Sequence, residues 1–364
     1  MTATEGLAQA VRAGSLDAVT ALLKAGAEVN DGSSPSLVHQ AVSSDKAGLI
    51  LEALIEAGAD VDSRDGAGRT PLHCAAEYWP VAGVLGPLVV AGADVNARDR
   101  DGLTPLHWAA KGNPNSPRVI KDLVLEGATV NARDKNGLTP LHWALRWRPN
   151  MAAIAPLIAH GAAVDGRDGT GRTPLHYAAM ADGRNGEAVF ALLAAGAEMA
   201  ARDQDDRTPL HYAADNYHPE AVLALIEAEA DAYAQDAEKQ TPLHRAVSSN
   251  FGTPEVAAHL VKWMFGFGLD LRDSNGNTAL HLTAAIRDNP SSASHLRQLR
   301  KIGSGEKDVE LAKILIKAGA DLDARNHRGE TPRDVARRSG AVAVADLLLE
   351  AWQAASEVGP WFSV

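Results

Sequence analysis

Apolar residues return along this chain in short helical blocks that come in pairs. In the stretch 105–127, Leu106, Ala109 and Ala110 mark one side of a first helix, and Val119, Ile120, Leu123 and Val124 mark a second. Ahead of the pair, Asp99-Arg100-Asp101-Gly102 carries turn chemistry. Pro105 suits the first helical position, where its missing N–H would go unsatisfied anyway, and Gly127 stops the second helix. Neither helix can bury its apolar face alone. Each pair must therefore be covered by the next, and the pattern predicts a stack of helix pairs.

The tetrapeptide that opens each pair fixes the period. Thr70-Pro71-Leu72-His73 recurs at Thr104, Thr139, Thr173, Thr208 and Thr241, then as Thr278-Ala279-Leu280-His281 and Thr331-Pro332-Arg333-Asp334. Successive threonines stand 34, 35, 34, 35, 33, 37 and 53 residues apart, so one step is long. Ser36-Leu37-Val38-His39 is a degenerate copy, and Leu7, Ala10, Val11, Val19, Leu22 and Leu23 outline a helix pair before it. A period of about 33 with this tetrapeptide, followed later by Gly92-Ala93-Asp94-Val95-Asn96, resembles the ankyrin repeat.

That resemblance implies an all-α solenoid of about ten helix-turn-helix repeats with β-turn or hairpin loops between them. Residues 1–30 read as an N-terminal capping repeat, 31–325 as repeats 2 to 9, 326–352 as a C-terminal capping repeat and 353–364 as a tail. The long step is an insertion at about 287–307 in the ninth repeat. There Leu296, Leu299 and Ile302, set among Arg297, Arg300 and Lys301, predict a short basic amphipathic helix. Arg333 and Asp334, in place of Leu-His, suit an outer cap.

Composition narrows the function. A net charge of −11 argues against broad affinity for nucleic acid or anionic lipid, since both rest on a basic surface. Cys74 is the sole cysteine, which rules out an internal disulfide and suits a reducing compartment. The N-terminal residues lack the pattern of a secretory signal, and the longest apolar stretch, 81–93, is too short to span a bilayer. The expectation is a soluble cytoplasmic protein, monomeric on its own, with no nucleic-acid or membrane partner.

Seven motif histidines invite a metal reading, but equivalent residues on helices ~8–10 Å apart cannot share an ion whose ligands lie within ~4 Å of each other. The resemblance implies a structural ladder instead, each histidine bonding its threonine and backbone near the next hairpin. Acidic turns such as Asp203-Gln204-Asp205-Asp206 lack the bidentate acid of a calcium loop. Cys74 and His73 are sequence neighbours, which do not face each other on a helix, so they form no nucleophile and base. No phosphate loop or serine elbow is present. The sequence thus predicts no enzyme, catalytic residue, metal or cofactor.

The informative positions are the residue after each motif histidine and those three and four further on, which share one helical face. In ankyrin arrays that face lines the concave groove. It collects Tyr78, Trp108, Lys111, Trp143, Arg146, Trp147, Tyr177, Met180, Tyr212, Asp215 and Asn216, in a chain that is only 5% aromatic. The turn-tip arginines Arg69, Arg172 and Arg207 flank it. Interface hot spots are enriched in Trp, Tyr and Arg, so the stripe predicts an adaptor or scaffold that binds a protein or peptide along the groove. The competing structural reading is that the aromatics fill space between adjacent helices. Two functional alternatives stand beside it. One is a regulatory or inhibitory partner of an enzyme, docked through turn tips and the basic insertion. The other is a methyl-lysine or cation reader: Trp108 and Trp143 match two cage tryptophans of certain ankyrin-containing methyltransferases, although Arg69, Leu103 and Lys111 depart from that pattern.

Overall fold

The computed structural model describes residues 3–30, 32–44, 46–77, 83–113, 115–183, 185–215, 219–249, 253–264, 266–285 and 304–357. Among these residues the secondary structure is twenty α-helices and one 3-10 segment, with no strand. They divide into two compact units, the first from Met1 to Pro174 with Ala194–Gly196, the second comprising Leu175–Leu193 and Ala197–Val364.

The first unit holds five helix pairs: Ala3–Arg12 with Leu16–Lys24, Leu37–Val42 with Ala47–Glu56, Pro71–Glu77 with Leu85–Val90, Pro105–Gly112 with Ser116–Leu125, and Pro140–Leu145 with Met151–Ala159. Most of the apolar positions read from the sequence are buried here, while Leu22, Leu23 and Val124 are half-buried. Leu7, Leu37, Ile50, Leu54, Leu72, Leu106, Ile120, Leu123 and Leu141 have almost no exposure. Each such side chain contributes roughly 1.5–3 kcal/mol, which only a neighbouring pair can supply.

Each first helix starts for local reasons. Thr104 is extended, with φ −98° and ψ 166°, and Pro105 occupies the first turn. The Thr104 N–H donates to Nδ1 of His107 at 3.0 Å, so histidine fills the role that Glu or Gln has in a capping box. Second helices end in glycine. At Gly127, with φ +89°, the chain turns left-handed while Ala128 N–H reaches back to the Leu123 carbonyl at 2.9 Å.

Of the β-turn or hairpin loops expected between repeats, the described form is a closed turn. Asp65 N–H donates to the Arg69 carbonyl at 3.0 Å, and one carboxylate oxygen of Asp65 accepts from the N–H groups of Ala67 and Arg69 at 2.8 and 2.9 Å. Successive turns are bonded in series: Arg100 N–H to Ala67 O, Lys135 to Asp101 and Gly169 to Asn136, at 3.0, 3.0 and 2.8 Å. This close approach explains Gly137, which has φ +81° and where a Cβ would lie 2.8 Å from the Gly169 nitrogen.

The second unit repeats the scheme. Its helix pairs are Pro174–Met180 with Asn185–Ala194, Pro209–Ala214 with Pro219–Glu227, Pro242–Ser248 with Pro254–Trp263, Ala279–Ala284 with Ser304–Lys317, and Pro332–Ser339 with Val342–Glu357. Turns bond in series here too, Ala237 N–H to Asp205 O, Ser274 to Glu238 and His327 to Asn275. Glu229, with φ +66°, does the job of the missing glycine at one helix end. The helix beginning at Ser304 takes in the last residues assigned to the insertion, and the short helix expected at Leu296–Ile302 lies outside the described residues. The final helix continues to Glu357, five residues into the stretch read as tail.

Candidate functional site

A ladder of histidines ties each turn to the next and carries the residues that follow it. In repeat 4, Nδ1 of His107 accepts from the Thr104 N–H, which obliges Nε2 to carry the proton and donate it to the Leu138 carbonyl at 3.1 Å, in the next turn. His39, His73 and His142 reach the carbonyls of Arg69, Leu103 and Arg172 in the same way. In the second unit His176, His211, His244 and His281 reach those of Arg207, Gln240, Asn277 and Glu330. Burial pushes His107 and His142 down to about 4, and lowers His73, His211, His244 and His281 as well. A proton on Nδ1 would face the threonine N–H, so the ladder works only when neutral. Asp334 takes the histidine's place in the last repeat, capping Thr331 N–H at 3.0 Å.

Three of the aromatics that follow a motif histidine are tied to their own turns. Trp108 Nε1–H donates to Asp99 Oδ2, and Trp143 Nε1–H to Asp134 Oδ2, each at 3.0 Å. Tyr212 O–H donates to Asp203 Oδ2 at 2.6 Å in the second unit. In each case the other carboxylate oxygen holds the turn, accepting from Leu103, Leu138 and Arg207 N–H respectively. Sequence reasoning missed these aspartates. The signal was available, because each stands nine residues before its aromatic.

In the first unit the aromatics and cations interleave. Arg69 lies 5.3 Å from the Trp108 ring centroid and Lys111 Nζ lies 4.4 Å from it. Lys111 is also 5.7 Å from Trp143, and Arg146 is 5.0 Å from Trp143 and 4.4 Å from Trp147. The rings of Trp143 and Trp147 meet edge to face at 5.9 Å. Each cation rests against an aromatic face, an arrangement worth ~0.5–1 kcal/mol per contact at exposed sites.

Exposure sorts the members of this ladder. Trp143 is only 9% exposed and Trp108 is half-buried, so both fill space between helices. Trp147 is 57% exposed, on a backbone with φ +67° that is rare for a bulky residue. Its loop is pinned on both sides: Arg148 N–H donates to the Arg146 carbonyl at 3.0 Å, and Asn150 N–H to Ala144 O at 2.7 Å. The Asn150 amide reaches across to Ala110 O and Ser116 Oγ at 3.0 and 2.8 Å.

The remaining candidates are placed as follows. Tyr78 and Asn216 lie outside the described residues. In the second unit Tyr177 is 7% exposed, Met180 is 38% exposed and Asp215 is in an ion pair with Arg245 at 3.2 Å. The turn arginines Arg69, Arg172 and Arg207 are half-buried. Arg69 bonds Asp65 at 2.8 Å and Glu77 at 3.0 Å, while Arg207 stands 3.7 Å from Asp236. These two hold turns in place.

Cys74 has neighbours that its sequence position conceals. The thiol, His39 and Asp65 bring ligand-type atoms within 4.8 Å of one another. The trio is nonetheless occupied: His39 bonds Ser36 Oγ and the Arg69 carbonyl, and Asp65 holds Ala67 and Arg69. Burial pushes the Cys74 thiol up to about 11, whereas burial at Asp65 is outweighed by the donors from Arg69 and Ala67, which leave its carboxyl below the usual range. Neither a thiolate nor a free imidazole is on offer for nucleophilic chemistry. Beside them opens a pocket of about 490 Å³, lined also by Pro35 and Val42.

Family models agree with this architecture. A model of ankyrin repeats in three copies matches residues 7–99, 38–117, 82–152, 106–199 and 179–263, and a single ankyrin-repeat model matches 275–327. The chain belongs to the ankyrin repeat family, whose members generally mediate protein–protein interaction. No curated protein matches it in a sequence comparison. No described helix is long and apolar enough to cross a membrane.

Proposed function

We propose that this chain is a non-catalytic adaptor that docks an acidic peptide segment of another protein along the ladder Arg69, Trp108, Lys111, Trp143, Arg146 and Trp147. The observation that carries the reading is Trp147, an indole left 57% exposed on a left-handed backbone and pinned against Arg146. Strained, exposed aromatics of this kind are retained at binding sites more readily than at purely structural ones. Lys111 and Arg146 supply positive charge in a chain of net charge −11, so a carboxylate-bearing ligand is favoured there and a cationic one is repelled. The ring faces that a methyl-lysine would need are covered by the protein's own cations.

Selection of ligands from a random displayed peptide library on the immobilised full chain tests this reading. The selected peptides should be rich in Asp and Glu, bind less tightly as salt rises, and lose about tenfold or more in affinity to a Lys111→Gln, Arg146→Ala double variant of unchanged melting temperature. Peptides that bind the double variant as well as the parent would reject it.

A further inference from the structure

We propose that the pocket beside Cys74 receives a tryptophan or tyrosine side chain of the docked partner, whose N–H or O–H donates to Asp65. The inference rests on the docking reading above and adds the chemistry of one anchor. Four repeats carry an aromatic directly after the motif histidine, at Trp108, Trp143, Tyr177 and Tyr212, and Trp108 donates to Asp99, Trp143 to Asp134 and Tyr212 to Asp203, in each case the turn aspartate nine residues earlier. The third repeat keeps the aspartate, at Asp65, and the spacing, but the donor position holds Cys74. A thiol is too short to reach across, and the structure has a pocket of about 490 Å³ there.

The walls of the pocket match what an indole meets one repeat further on. Trp108 stacks against Arg69, and 34 residues before Arg69 stands Pro35, which lines the pocket. Val42 and the buried, un-ionised thiol of Cys74 supply apolar surface. Asp65 Oδ2 accepts from Arg69 Nε at 2.8 Å, and a carboxylate oxygen has room for a second donor. His39 has both ring nitrogens engaged, leaving Asp65 as the acceptor that selects a donor-bearing ring. Arg69 lines this pocket and begins the cation ladder, so one peptide can present acidic residues to Lys111 and Arg146 and an aromatic residue here.

The test titrates the ¹⁵N-labelled full chain with N-acetyl-tryptophanamide, N-acetyl-tyrosinamide and N-acetyl-phenylalaninamide and follows amide shifts. The tryptophan and tyrosine probes should move Val42, Gly66 and Ala67, and the phenylalanine probe should bind roughly fivefold more weakly for want of a donor. Cys74→Trp should fill the pocket from within, keep or raise the melting temperature, and abolish those shifts. Pro35→Ala, which removes the facing wall, should weaken the probes several-fold and serves if Cys74→Trp does not fold. Equal binding of all three probes, shifts centred elsewhere, or unweakened binding to either variant would overturn the proposal. Such a result would leave docking intact if library peptides still required Lys111 and Arg146, whereas probe binding at the pocket with peptides indifferent to those cations would retire the docking reading alone.

Discussion

The third and fourth repeats are built on the same turn, the same threonine cap and the same histidine bridge, yet one leaves a pocket where the other has a ring. Asp65 and Asp99 each accept from backbone N–H groups through one oxygen. The second oxygen of Asp99 takes the Trp108 indole, while that of Asp65 takes Arg69 because Cys74 cannot reach it. The side chain after the histidine therefore decides whether the space beside the turn aspartate is filled from within or left open. Variation at this position changes the surface while the ladder beneath keeps the repeats in register.

Acid should weaken the histidine ladder that both repeats share, and gives the largest effect. The unfolded chain takes up protons as pH falls below about 6.5, whereas His107 and His142 in the folded state wait until about 4. Stability is therefore fully present above about 6.5 and is lost between there and about 4, on the order of 3 kcal/mol for each of these two residues. Urea midpoints at pH 7.5 and 4.5 measure it, and a flat profile would contradict a neutral ladder.

Converting one repeat toward the other comes next. Trp108→Cys should cost about 3 kcal/mol of folding stability, since it empties a half-buried site and frees Asp99 Oδ2. Trp108→Phe keeps most of the ring and should cost about 1–2 kcal/mol for the lost donor alone. The reverse exchange, Cys74→Trp, should gain about 1 kcal/mol by filling space. Denaturant titration of the three variants ranks them, and equal values for Trp108→Cys and Trp108→Phe would show that packing contributes nothing.

The fold was legible because each repeat states its own period, cap and stop, and most of the apolar positions named from spacing are buried, Leu22, Leu23 and Val124 being half-buried. The aromatic and basic side chains were legible as a list and less so as an arrangement. Trp108 and Trp143 share a helical face with Lys111 and Arg146, as the spacing required. Which indoles are sunk and which stand out depends on tertiary contacts: Trp143 is covered, whereas Trp147 is lifted by a left-handed turn that no local motif announces. Cys74 was compared with its sequence neighbour His73, but its actual neighbours come from the preceding repeat, at His39, and from the turn, at Asp65. Contacts between repeats are about 30 residues apart in the chain, and only the structure brings them together.

Trp147 carries the central claim, and a single substitution tests it. Trp147→Gly removes the indole and its contacts with Arg146 and Trp143, worth roughly 1–2 kcal/mol together, but it also relieves a left-handed residue of about 1–2 kcal/mol of strain. Stability and affinity for a library-selected peptide are to be measured on the same samples. The account predicts a folding free energy within about 1 kcal/mol of the parent and a loss of about 2 kcal/mol or more in binding. A variant that unfolds readily yet binds unchanged when folded would contradict it and make Trp147 part of the scaffold.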